Sequence, residues 1–87
     1  MASTFDPKFC RICGFEPAEA PWGLDGRSPS FDFCACCGVE WGYGDVTSGA
    51  IARNRRLWIE SGAKWVDLKE YDHLSTDERL KRAFPLG

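Results

Sequence analysis

Two stretches of this 87-residue chain decide how it folds: Cys10-Arg11-Ile12-Cys13-Gly14-Phe15 and Cys34-Ala35-Cys36-Cys37-Gly38-Val39. Both follow Cys-x-x-Cys-Gly-apolar, with twenty residues between Cys13 and Cys34. A Cys-x-x-Cys turn sets two sulfurs on one side of the backbone, within reach of one ion. The amides of the turn can donate to the thiolates and stabilise their charge. Glycine after the second cysteine permits positive φ, where a side chain would clash. The apolar residue that follows packs beneath the turn. Two such turns facing each other make a closed, tetrahedral four-sulfur cage. The spacing therefore predicts one metal ion held by Cys10, Cys13, Cys34 and Cys37. Zn2+ in a structural role is the expected ion, with iron as the alternative, since four thiolates suit both. Cys36 falls outside the cage when the two turns are aligned by their glycines. It reads as a partly buried spare thiol whose replacement by serine should be nearly neutral.

Outward from the cysteines, composition divides the chain. Pro17, Pro21, Gly23, Gly26 and Pro29 mark a loop between the pairs. Ser30-Phe31-Asp32-Phe33 alternates into Cys34 and predicts a short strand, with Lys8-Phe9 as its partner. Past Asp45 the chain reads as helix. Asp45, Thr47 and Ser48 offer N-cap oxygens for a helix over Ala50–Glu60, with Ile51 and Trp58 on one side and Gly62 as its stop. Lys64–Leu68 alternates and predicts an extended segment turning Trp65 or Val66 inward. Ser75-Thr76-Asp77-Glu78 is a capping box opening a short helix with Leu80, Ala83 and Phe84 at contact spacing, closed by Pro85. The expected fold is α+β: a small four-cysteine zinc ribbon with a short β-hairpin, followed by two helices. Residues 1–46 form the zinc-ribbon part and 47–87 a helical part packed on it, in a single compact domain. The metal replaces a core that the front half is too small to build alone.

The doubled Cys-x-x-Cys-Gly turn resembles zinc ribbons, and equally the rubredoxin iron site, over residues 8–40. That resemblance implies ligands at Cys10, Cys13, Cys34 and Cys37 and turn glycines at Gly14 and Gly38. More than half the chain lies outside that region, which an electron carrier does not require. A looser likeness is to small uncharacterised bacterial cysteine-rich proteins of Cys-Pro-Cys-Cys-Gly type. Cys34-Ala35-Cys36-Cys37-Gly38 followed by Trp41-Gly42-Tyr43 is similar to their signature, with Ala35 in place of the proline. Some of those proteins look like immunity proteins encoded beside secreted toxins, which implies an inhibitor as one role.

Charge narrows the partner. The net charge is -2, with residues 1–46 at a net -4 and residues 47–87 at +2. Four thiolates around a divalent ion would make the front half more negative still. An acidic surface binds phosphates poorly and suits a basic protein partner. Trp41 and Tyr43, flanked by Glu40 and Asp45, are the candidate partner-binding residues, because Trp and Tyr serve often as interface anchors. Arg53, Arg55 and Arg56 give the alternative, a nucleic-acid-binding zinc ribbon; three arginines on a helix are more commonly a solvated face. His73 is the only histidine and follows Tyr71-Asp72, far from the cysteines. No phosphate loop, nucleophile elbow or recognisable carboxylate pair occurs, so no enzyme is expected. With 44% hydrophobic residues the chain should fold. It has no apolar run for a membrane span, and the N-terminus reads as lacking a targeting signal. The expected compartment is the cytoplasm, where thiols stay reduced.

Overall fold

The structure, a computed structural model, describes residues 5–86; Met1–Thr4, the start of the stretch read as lacking a targeting signal, and Gly87 lie outside them. Its elements are α1 (Ser48–Glu60), a 3₁₀ turn (Leu68–Glu70) and α2 (Thr76–Leu80). Among the described residues, the front half is built from turns, loops and one isolated bridge.

The α+β expectation is overturned. Among the described residues there is no strand and no hairpin, only an isolated antiparallel bridge between Phe33 and Glu40. The backbone hydrogen bonds explain why. Phe31 sits at φ 62°, which breaks the extended run. The amide of Ser30 is spent on Pro21 O (2.8 Å), and Asp32 O accepts from Trp41 N (3.0 Å). Lys8-Phe9 never meets this segment, because Phe9 N turns back onto Asp6 O at 3.2 Å. The alternation of Ser30–Phe33 therefore produces no sheet, and Phe31 and Phe33 are both exposed.

The helices follow their caps. Thr47 Oγ1 accepts from Ala50 N at 3.1 Å and opens α1 two residues before the expected start. At its other end Gly62, at φ 103°, reverses the chain. Gly62 N donates to Ile59 O (3.0 Å) and Ala63 N to Trp58 O (2.9 Å), the paired closure of a Schellman turn. Ile51 and Trp58 are the buried residues of α1, and each contributes about 2 kcal/mol of burial. α2 carries its capping box: Glu78 N donates to Ser75 Oγ and Ser75 N to Glu78 Oε1, both at 3.1 Å. The backbone amides and hydroxyl of Ser75 also hold the Glu78 carboxyl below its usual pKa. Of the Lys64–Leu68 segment, Trp65 turns inward and stacks edge-on against Phe15 at 5.3 Å, while Val66 is exposed.

The core is made largely of the cysteines themselves: Cys10, Cys13, Cys34 and Cys36 with Ile12, Phe15, Trp41, Ile51 and Trp58. Thiols are small, so this core is thin for the chain it must hold. The Cα radius of gyration is nonetheless 11.7 Å, close to the value of about 12 Å for a folded chain of this length. Among the described residues no helix is long and apolar enough to cross a membrane.

Candidate metal centre

The two cysteine turns are copies of each other. Cys10 N donates to Phe15 O (2.8 Å) and Gly14 N to Cys10 O (2.9 Å); Cys34 N donates to Val39 O (2.9 Å) and Gly38 N to Cys34 O (3.0 Å). Gly14 and Gly38 both adopt φ 81°. A Cβ on Gly14 would fall inside the carbonyl of Arg79, so glycine is required there twice over, for its torsion and for the close approach of the last turn of α2.

Each turn is held from outside. The carbonyls of the first are taken up by guanidinium groups: Arg55 Nε donates to Ile12 O (2.7 Å), Arg55 Nη2 to Arg11 O (2.6 Å), and Arg82 Nε to Gly14 O (2.6 Å). The second is held by backbone, with Asp67 N donating to Ala35 O at 2.8 Å and Val66 N to the same oxygen at 3.0 Å.

Facing each other, the turns bring the sulfurs of Cys10, Cys13, Cys34 and Cys37 within 4.8 Å of one another. The Sγ–Sγ distances are 3.7 Å for Cys10–Cys37 and 3.6 Å for Cys13–Cys34. Thiolates 2.3 Å from a central ion at tetrahedral angles are separated by about 3.8 Å, so the cage has the size such an ion requires. All five cysteines are free thiols. Cys10, Cys13 and Cys34 are fully buried and Cys37 is partly so. Trp41 Nε1 donates to Cys10 Sγ and Cys36 N to Cys34 Sγ, each at 3.3 Å.

The electrostatics of the cage call for a cation. Burial opposes ionisation of Cys10, but the thiols of Cys13, Cys34 and Cys37 and the Trp41 indole outweigh it and bring its pKa well below the ordinary thiol value. The remaining three are driven the other way. Burial raises Cys13, and hydrogen bonding with Cys10 and Cys13 raises Cys34 and Cys37. One thiolate is therefore stable among its neighbours and four are not, unless positive charge sits at their centre. Arg55 lies close enough for the charge of Cys10, Cys13 and Cys37 to favour its protonated form, against the burial that lowers its pKa.

The other singled-out residues divide by position. Tyr43 is 79% exposed, whereas Trp41 is 4% and Asp45 0% exposed. Glu40 is half-buried and holds the bridge to Phe33. Asp45 acts inside the fold: its carboxylate accepts from Trp22 Nε1 (2.8 Å) and Gly42 N (2.7 Å), and burial pushes its pKa up. Arg11 stacks over Trp22, with its guanidinium carbon 3.8 Å from the ring centroid, and donates to Asp45 O at 3.1 Å. Arg53 and Arg56 are exposed, while Arg55 is engaged with the first turn. His73 is exposed, at φ 64°, against the ring of Tyr71 at 4.7 Å. Cys36 is fully buried, more so than its position beside the cage suggests from sequence, and is not one of the four grouped sulfurs.

Comparison with known proteins adds little chemistry. No protein-family profile matches the chain. No solved structure matches it. An uncharacterized protein of Bacillus subtilis (strain 168), YozI, is 37% identical over 71 residues, an alignment covering 63% of this chain and 59% of that protein. The chain thus spans about three fifths of the length of that curated relative.

Proposed function

We propose that this chain is a non-catalytic binding protein, in which one structural zinc ion holds the fold and the surface around it binds another protein. The observation that carries this reading is the closure of the cage. Four sulfurs from one chain at tetrahedral spacing leave no ligand position for water or substrate. A catalytic zinc keeps such a position open. Zinc supports the fold as a staple for a core too thin to stand alone, and its affinity is then folding free energy. Iron in the same cage would serve electron transfer, for which the helices of the second half have no evident use. Arg55, central to the nucleic-acid alternative, already bonds three backbone carbonyls, which weakens that reading. The concrete form of the proposal is an inhibitor of a basic protein, an immunity-like partner of a toxin, and rests on the looser sequence likeness described above.

The test is a nuclease-treated pull-down with the metal-loaded chain from its source organism, followed by metal analysis of the eluate. One protein recovered in stoichiometric amount supports the proposal. No protein partner, with nucleic acid retained when the nuclease is omitted and binding that falls steeply with salt, sinks it. A red protein containing iron removes the zinc assignment.

A further inference from the structure

Beside the two cysteine turns, with Phe15 of the first and Ala35 of the second in its lining, lies a groove of about 510 Å³. Its floor includes Phe15 and Trp41, both almost fully buried, and one wall is Phe33, which is 67% exposed. Its rim carries four carboxylates, Glu19, Asp32, Asp67 and Glu70, and no residue lining it is basic. All four acids are exposed, and none of them forms an ion pair among the described residues. The groove is assembled from four separate parts of the chain, so its composition is not the accident of one acidic run.

The cage deepens the negative potential. Trp41 forms part of the groove floor and donates its indole N–H to Cys10 Sγ, while Ala35 of the second turn also lines the groove. Four thiolates around a divalent ion would carry a net charge of -2, next to Trp41 through its bond to Cys10. Arg55 and Arg82 are bonded to carbonyls of the first turn, and neither lines the groove. An aromatic surface ringed by unpaired carboxylates matches a planar cation. A guanidinium can stack on the ring of Phe33 and donate two parallel N–H bonds to a carboxylate, which an ammonium cannot do.

We propose that this groove is the docking site for an arginine-bearing segment of a protein partner. The inference rests on the protein-binding reading above and gives it a place and a chemistry. Asp32 and Glu70 pair with the guanidinium, and Phe33 covers its face. Asp67 also caps the 3₁₀ turn, its Oδ1 accepting from Lys69 N at 3.0 Å, so it is left intact in the test.

The experiment is an amide chemical-shift titration of the zinc-loaded full chain with a short glycine peptide containing two arginines. The same peptide with citrulline, neutral and nearly isosteric, is the control. Saturable shifts at Phe15, Glu19, Asp32, Phe33 and Glu70, absent with citrulline, are expected. The double variant Asp32→Asn/Glu70→Gln should raise the dissociation constant about threefold to tenfold, and Phe33→Ala should weaken binding similarly. Glu60→Gln, on α1, should change nothing. Shifts that fail to saturate, that centre elsewhere, or that persist unchanged in the double variant overturn the proposal. The wider reading is separated by the partner recovered in the pull-down. If the double variant captures it undiminished, the groove is wrong and protein binding stands; if no partner exists while the arginine peptide binds as described, the reverse holds.

Discussion

The two turn glycines share one backbone torsion but not one environment, and this difference can be measured. Replacing either with alanine forces a side chain into the left-handed region, at about 1–2 kcal/mol. At Gly38 the added methyl meets only Val66 Cγ2, at 2.9 Å, the tip of an exposed side chain that can move aside. At Gly14 it meets the main-chain carbonyl of Arg79, which cannot move unless α2 and the chain that follows it leave the first turn. That departure breaks Arg82 Nε to Gly14 O (2.6 Å), Phe84 N to Arg11 O (3.1 Å) and Arg55 Nη2 to Phe84 O (2.8 Å). At about 1 kcal/mol for each bond, the loss at Gly14 reaches about 4–5 kcal/mol. A small domain has about that much stability in total. Thermal denaturation of the metal-loaded proteins, followed by circular dichroism, should show Gly38→Ala melting about 5–15 °C lower. Gly14→Ala should melt more than 15 °C lower, about the limit at which the fold survives. Equal losses at the two positions would refute the claim that α2 is clamped on the first turn.

Other outcomes follow from the same contacts. Cys36→Ser should retain the metal and lose about 1–2 kcal/mol in urea denaturation, because the hydroxyl is fully buried beside the cage; a neutral result would restore the sequence expectation of a spare thiol. Arg55→Ala should cost about 2–4 kcal/mol by leaving three carbonyls unpartnered, whereas Arg53→Ala and Arg56→Ala, at exposed positions, should fall within about 0.5 kcal/mol of the parent, all by chemical denaturation. Metal binding should release protons. Cys13, Cys34 and Cys37 have pKa values raised above the ordinary thiol, so they hold their protons at neutral pH until an ion displaces them. Affinity should therefore fall as pH falls, and calorimetry in buffers of different ionisation enthalpy should count more than two protons per ion.

What the sequence revealed was local chemistry. The cysteine spacing and its glycines specified both turns, Gly62 and one of three N-cap candidates, Thr47, bounded α1, and the Ser75–Glu78 box opened α2, because each of these signals is completed within a few residues. The hairpin was lost to contacts that no local pattern records. Phe31 is held at positive φ against Gly42, the Ser30 amide before it is spent on Pro21 O, and the Asp32 carbonyl after it accepts from Trp41 N. Asp45 reads as a surface acid, yet it is drawn inside by two donors, Trp22 and Gly42, that are distant or turn-dependent. Arg55 reads as one of three solvated arginines, and only the docking of α1 on the first turn gives it carbonyls to hold. The acidic groove was invisible for the same reason, since its walls come from segments up to fifty residues apart and meet only once the cage is closed.

X-ray absorption at the metal edge of the freshly purified chain tests the central claim most directly. The expected result is one zinc per chain with four sulfur neighbours at about 2.3 Å and no nitrogen or oxygen in the shell. Cys10→Ser and Cys37→Ser should also release the ion and unfold the front half. A shell containing oxygen or nitrogen, or a Cys37→Ser variant that keeps stoichiometric zinc and its parent melting curve, would contradict the claim.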